Sequence, residues 1–252
     1  MFDFKGKCVL ITGGSRGIGR ATAVLFASHG ADVAFTFRQD RIAADSLRRE
    51  IARNGGHSTS YRCKVENEAD CRATVRKTLD AFGRIDVLVN NAGIWTENPI
   101  GQMTMREWQN SVDVNLTGTF NFCNLAIPVM RTQKSGTIIN ISSTAGQRGE
   151  ALHSPYAAAK GGVIAFTKSI AAEVIEYGIR VNCVAPGWVD TDMVSSVMMK
   201  PVQKRNIVRS IPRGKIASPD EIAGPVLFLA SDYASHIVGE IINVNGGSVM
   251  CG

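Results

Sequence analysis

Short apolar runs rich in β-branched residues alternate along the chain with amphipathic stretches of helical length. Residues 7–12 enclose Cys8-Val9-Leu10-Ile11 and predict a buried strand. Across 16–28, apolar residues at Ile18, Ala21, Val24 and Leu25 recur at helical spacing, and His29-Gly30 ends the pattern. The alternation continues, predicting strands over 32–37, 58–63, 85–90, 136–142, 179–185 and 240–244. Helices are predicted over 42–54, 68–82, 104–129, 156–177 and 220–230, three of them stopped by Gly55, Gly83 and Gly178.

Strand–helix alternation of this kind implies right-handed crossovers and a mostly parallel sheet of about seven strands, covered by helices on both faces. The fold class is α/β, doubly wound. The 252 residues lie near the upper size of one hydrophobic core, and no repeat, low-complexity tract or linker interrupts the series. One domain over 1–252 is expected. Residues 190–219 lack a clear period and hold Met193, Met198, Met199, Pro201, Pro212 and Pro219; a lid over a ligand site is expected there.

Charge narrows the function classes. The formal charge of +6 comes from 28 Lys plus Arg against 22 Asp plus Glu, scattered along the chain. A nucleic-acid binder concentrates such an excess on one element, so nucleic acid is not an expected partner, whereas anionic small molecules are. The six cysteines (8, 63, 71, 123, 183, 251) form no C-x-x-C pair and none has a histidine at ligand spacing, so no metal site is expected. No apolar stretch reaches membrane-spanning length and no signal-peptide pattern opens the chain. With free cysteines, these features predict a cytoplasmic protein.

The first strand meets the first helix at Thr12-Gly13-Gly14-Ser15-Arg16-Gly17-Ile18-Gly19, a G-x-x-x-G-x-G spacing. Glycines here let the backbone approach a pyrophosphate, and the helix N-terminus presents free N–H groups and its positive dipole end. Strict G-x-G-x-x-G fails, because position 22 is Thr22. An NAD-selective site carries an acid near the end of the second strand. This chain has Thr36-Phe37-Arg38 with no acid before Asp40, and Arg38 with Arg16 offers charge-assisted pairing to a 2′-phosphate. NADP(H) is therefore expected in preference to NAD(H).

Tyr156-Ala157-Ala158-Ala159-Lys160 places a phenol and an ammonium at i, i+4 on one helical face. A nearby cation is expected to lower the phenol from its ordinary pKa of ~10, allowing general acid–base work on an alcohol or carbonyl.

Taken together, the ordered blocks Thr12 to Gly19, Asn90-Asn91-Ala92-Gly93, Asn115, Ser142-Ser143, Tyr156 to Lys160 and Pro186-Gly187-Trp188-Val189-Asp190-Thr191 span most of the chain. In that order and spacing, with Ser143 thirteen residues before Tyr156, the sequence resembles the short-chain dehydrogenase/reductase family and its Rossmann-type fold. The resemblance implies Tyr156 as proton donor to a carbonyl, Lys160 on the nicotinamide ribose, and Ser143 on the substrate oxygen. It implies that Asn115 anchors a water joining Lys160 to solvent. Gly13, Ser15, Arg16, Gly17, Ile18, Gly19, Asn91, Ala92 and Gly93 would hold the dinucleotide, with Pro186, Gly187, Val189 and Thr191 around the nicotinamide. One departure stands out: where the family has Asp-Val at the end of the third strand, an adenine contact, this chain has Lys64-Val65; both are still expected to border the cofactor, the extra cation suiting a phosphorylated ribose or a differently posed ring.

The C-terminal blocks (Ile211-Pro212-Arg213-Gly214, Ser218-Pro219-Asp220-Glu221, Asn243-Val244-Asn245-Gly246-Gly247) are similar to 3-oxoacyl-(acyl-carrier-protein) reductases, a pattern shared with reductases of sugars, alcohols, ketones and quinones. An acyl-thioester or other small-molecule substrate is expected, with acyl carrier protein as a candidate partner. Lys134 fits one family position for a basic docking residue, while Tyr177 stands where an arginine is usual. Trp95, Met193, Met198 and Met199 are candidate apolar walls. The resemblance also implies a homotetramer. A non-catalytic dinucleotide sensor remains the alternative from another class.

Overall fold

The computed structural model describes residues 2–251. Its centre is a seven-stranded sheet, all neighbours parallel, in the order β3-β2-β1-β4-β5-β6-β7. The strands are β1 (Cys8–Ile11), β2 (Asp32–Phe37), β3 (Ser58–Arg62), β4 (Val87–Asn90), β5 (Gly136–Ile141), β6 (Ile179–Pro186) and β7 (Ile241–Val244). The helices between them are α1 (Gly17–Ser28), α2 (Arg41–Arg53), α3 (Glu68–Phe82), α4 (Met105–Val112), α5 (Gly118–Gln133), α6 (Thr144–Arg148), α7 (Ser154–Val174), α8 (Ser195–Met198), α9 (Pro201–Ser210) and α10 (Pro219–Ala230). Winding runs outward from β1 in one direction and from β4 in the other. The crevice where the two directions part, at the carboxyl ends of β1 and β4, is where doubly wound sheets bind ligands.

Strand side chains alternate between two cores. Val9, Ile11, Val33 and Phe35 pack with Phe26 and Leu47 on one face. Leu10, Leu88 and Ile138 pack with Phe122 and Met130 on the other. Both faces being buried explains why the strands read as continuous apolar runs.

Three predicted segments differ. The helix expected over 104–129 is divided by a π-helical turn at Asp113–Thr117 and runs on to Gln133 through Pro128. Around that turn the Asn115 side chain donates to the Ser111 carbonyl and Thr119 Oγ1 to the Asn115 carbonyl, side-chain bonds that compete with the regular i→i−4 ladder. The helix expected to begin at Tyr156 starts at Ser154, with Pro155 in its first turn, and yields at Ile175–Tyr177 to a 3-10 turn. The segment 190–219 is largely helical: a 3-10 turn at Asp192–Val194 leads into α8 and α9. A bridge between Val189 and Ala217 ties its two ends together.

Candidate active site

The turn after β1 is held from both sides. Gly13 N–H donates to Thr36 Oγ1 at 3.0 Å, and Asn91 Nδ2 donates to the carbonyls of Thr12 and Gly13 at 3.0 Å each. Gly13 has a φ of +63°, and a Cβ there would come within 3.0 Å of Ala92 Cα, so the turn and the β4 loop touch only because it is glycine. Arg16, at the N-cap of α1, supplies no side-chain cap. The first amides of that helix are thereby left to an external anion.

A cavity extends from this turn. Gly13, Ser15, Arg16, Gly17, Ile18, Arg38, Val65, Asn91, Ala92 and Gly93 line one part of it. Ser143, Tyr156, Lys160, Pro186, Gly187, Val189 and Thr191 line the other. Three expected residues do not reach it. Gly19 is packed beneath the turn, where a Cβ would lie 2.3 Å from the Gly13 carbonyl oxygen. Lys64 is exposed, its backbone N–H donating to Asp70 Oδ2. Asn115 is fully buried: Oδ1 accepts from Ile94 N–H at 3.1 Å and Nδ2 donates to the Ile94 carbonyl at 3.0 Å. Asn115 thus anchors the loop after β4 directly; its Oδ1 would lie 2.7 Å from a Cβ at Gly93, and Lys160 Nζ 3.6 Å from it. Trp95 and Met193 line the cavity, whereas Met198 and Met199 do not.

At the other end of the cavity Arg38 pairs with Glu66 at 3.2 Å, and Arg16 with Asp192 at 3.8 Å. Glu66 Oε2 is buried without a hydrogen-bond partner among the described residues. An orphaned acceptor, uncapped helix amides and glycine-lined walls in one cavity fit a dinucleotide. Glu66 escaped the sequence analysis because it stands two residues beyond the expected position; its signal was an acid just ahead of α3.

Ser143 lies immediately beyond β5, and its Oγ accepts from Ala145 N–H at 3.1 Å, capping α6. Tyr156 is 8% exposed and Lys160 4%. Lys160 Nζ donates to the Ile141 carbonyl at 2.7 Å and lies 5.8 Å from the centre of the Tyr156 ring. Ser142 Oγ donates to the Lys160 carbonyl at 2.8 Å, so Ser142 braces the helix, and both serines line the cavity.

The expected lowering of the phenol by its neighbouring cation is not found. Burial pushes Tyr156 up to about 12, outweighing its hydrogen bond with Ser143, and Glu150 adds to the rise. Burial likewise brings Lys160 down to about 8. The local sequence supplied the i, i+4 spacing, but desolvation, which belongs to the whole fold, outweighs it. At neutral pH the phenol is therefore held protonated, the state that donates.

A depressed ammonium carries a pH signature. Below about 8 the native state bears the buried charge and its full penalty; between 8 and the ordinary 10.5 the unfolded chain holds more protons, so stability rises with pH. Replacing Lys160 by Met removes that dependence. Thermal melts are expected to show the variant's Tm advantage over the parent shrinking from pH 7 to pH 10.

A dinucleotide cavity at the crevice of a doubly wound sheet, with a buried tyrosine and lysine at one end, defines an NAD(P)-dependent oxidoreductase. The family model described as enoyl-(acyl carrier protein) reductase matches residues 13–249, and the chain belongs to the short-chain dehydrogenase/reductase family. Among its relatives is a 3-oxoacyl-(acyl-carrier-protein) reductase of Synechocystis sp., 43% identical over 99% of this chain and 100% of that one. The chain is also similar to levodione reductase (TM-score 0.93, 35% identity, 97% and 98% covered). It is similar as well to 7α-hydroxysteroid dehydrogenase complexed with NADH and 7-oxo glycochenodeoxycholic acid (TM-score 0.94, 31% identity, 98% and 96% covered). Among the described residues no helix is long and apolar enough to cross a membrane, and no cluster of three metal-ligating side chains occurs.

Proposed function

We propose that this protein reduces the ketone of a 3-oxoacyl thioester to an alcohol with NADPH, Tyr156 donating the proton. The observation carrying the reading is the convergence of Ser143, Tyr156 and Lys160 in the cavity that also opens on the α1 N-terminus. When bound, the nicotinamide supplies the hydride. Ser143 and Tyr156 hold the ketone oxygen, and the protonated phenol gives up its proton as negative charge builds there. Lys160, kept in place by the Ile141 carbonyl, steadies the phenolate left behind. The relative in Synechocystis sp. supports the thioester as substrate.

Arg38 and Arg16 are the groups for a 2′-phosphate, and the free Glu66 oxygen offers the adenine amine the acceptor that Lys64 does not. Arg38→Ala is expected to raise the Kd for NADPH about tenfold or more, the loss of a charge-assisted contact, and that for NADH less than threefold. Fluorescence titration with both dinucleotides measures it; equal losses would show that Arg38 does not read the phosphate.

Thr191 to Val194, at the start of 190–219, border the cavity, which supports that segment as the lid. For acyl carrier protein, Lys134 stands at the C-cap of α5, and Arg131 lies 3.9 Å over the Tyr177 ring, bringing a cation to the position where the family has one. The exposed Phe120 and Trp108 on α5 and α4 suit a tetramer interface.

A second reading, reduction of ring ketones, draws on the perpendicular Trp95 and Trp188 indoles beside Tyr156. NADPH oxidation with 3-oxoacyl thioesters, cyclic ketones and quinones separates the readings. Preference for the ring ketones overturns the first, and dinucleotide binding with no turnover on any of them points to the sensor.

A further inference from the structure

Beside Tyr156 the cavity carries a carboxylate that proton transfer does not use. Glu150 lies half-buried between α6 and α7 and lines the same cavity. It is held in place: Trp95 Nε1 donates to Glu150 Oε2 at 3.1 Å. Trp95 in turn stacks on His153, centroids 4.1 Å apart and planes within 3°, and meets Trp188 at 5.8 Å and 85°. The His153 ring is fixed as well, Nδ1 lying 3.0 Å from the Ala151 carbonyl oxygen. An indole clamped by two aromatic neighbours thus keeps the carboxylate from turning away.

No ion pair among the described residues cancels the charge. Arg148 lines the cavity but is exposed, and the ion pairs of the described residues do not join it to Glu150. Lys160 is turned to the Ile141 carbonyl, and Arg16 and Asp192 pair with each other. Ser143, the other side chain at the phenol, is uncharged. Burial is the main cause of the raised Tyr156 pKa, and Glu150, lining the same cavity, adds to it.

We propose that Glu150 is a charge filter, admitting neutral 3-oxo carbonyl compounds such as thioesters and esters and rejecting 3-oxo acids with a free carboxylate. In a 3-oxo acid the anionic group stands two carbons from the ketone. With that ketone at Tyr156, the acid's charge sits in the chamber with Glu150; in the thioester the same carbon is neutral. Repulsion between unit charges several ångströms apart, at the effective dielectric of a partly solvated site, is worth about tenfold in binding. The inference rests on the 3-oxo carbonyl reading above and specifies its substrate class.

The test compares ethyl acetoacetate with acetoacetate, for the parent and Glu150→Gln, with NADPH. Glutamine retains an acceptor for the Trp95 indole, so the clamp is kept while the charge is lost. The parent is expected to favour the ester, and the ester-to-acid ratio of kcat/KM to fall about tenfold in the variant, through a lower KM for acetoacetate. A ratio unchanged within twofold overturns the proposal. A merely structural role would depress both substrates together and leave the ratio where it was. If neither compound nor any 3-oxoacyl thioester is turned over, the catalytic reading fails by itself. The Kd values of ester and acid in the NADPH complex, followed by tryptophan fluorescence, then decide the filter by the same ratio.

Discussion

Tyr156→Phe is expected to lower kcat for ketone reduction by about three orders of magnitude, within the range a positioned general acid contributes. The substitution deletes one oxygen from a side chain that is otherwise fully packed, so the ring stays and no cavity opens. Ser143 and Lys160 are the neighbouring groups that carry protons. Ser143 has a hydroxyl of far higher ordinary pKa, so it can donate a hydrogen bond to the ketone oxygen but does not surrender the proton. The Lys160 ammonium gives one of its protons to the Ile141 carbonyl and lies 5.8 Å from the centre of the phenol ring. Because the phenol is held near 12 by burial, the donor is fully protonated across the neutral range, and the parent's rate should not fall there through loss of that proton. Stopped-flow measurement of NADPH oxidation, beside dinucleotide titration, separates the two roles. Kd is expected to stay within about threefold of the parent, since the phosphate turn lies at the other end of the cavity. A variant that retains more than a tenth of the parent's kcat would remove Tyr156 as the proton donor.

Gly19→Ala is expected to weaken dinucleotide binding about tenfold or more and to destabilise the fold, although Gly19 does not line the cavity. The added carbon would lie 2.3 Å from the Gly13 carbonyl oxygen, 2.6 Å from Asn91 Nδ2 and 2.9 Å from Gly14 Cα. Two of these neighbours are backbone, so relief requires the turn itself to move. That movement breaks the bond from Asn91 Nδ2 to the Gly13 carbonyl, one of those fixing the turn against β4. Overpacking of this kind costs about 1–3 kcal/mol, and each kcal/mol lowers Tm by about 2–4 °C in a domain of this size. Calorimetry and dinucleotide titration should therefore move together. Gly224→Ala is the control: a Cβ there meets nothing within 4 Å, inside α10, where alanine is the better helix former. A Gly19→Ala protein with the parent's Tm and Kd would show that the turn tolerates displacement.

Much of this molecule can be read from local pattern. The turn after β1 was legible because glycine spacing, a preceding strand and a following helix all fall within one short stretch. Tyr156 and Lys160 were legible because 3.6 residues per turn place i and i+4 together in any helix. Asn115 was visible as a residue but not as a structural piece: its place in a π-helical turn, with both amide atoms bound to Ile94, depends on a loop twenty-one positions away. Glu66 was hidden for a similar reason. Lys64 occupies the position at the end of the third strand, yet it faces solvent, and the carboxylate two residues on lines the cavity, paired with Arg38 just beyond β2.

The amino-acid order alone determined the alternation of strands and helices, the parallel doubly wound sheet, the phosphate turn and the tyrosine–lysine pair, since each follows from periodicity or chemistry within a few residues. Only the tertiary structure decided the charge states and neighbours of the site. Burial raises the phenol and depresses the ammonium, Trp95 holds Glu150 across fifty-five positions, and Gly19 acts from beneath the turn. Desolvation and fields sum over everything nearby in space, and most of what is nearby in a crossover fold is distant along the chain.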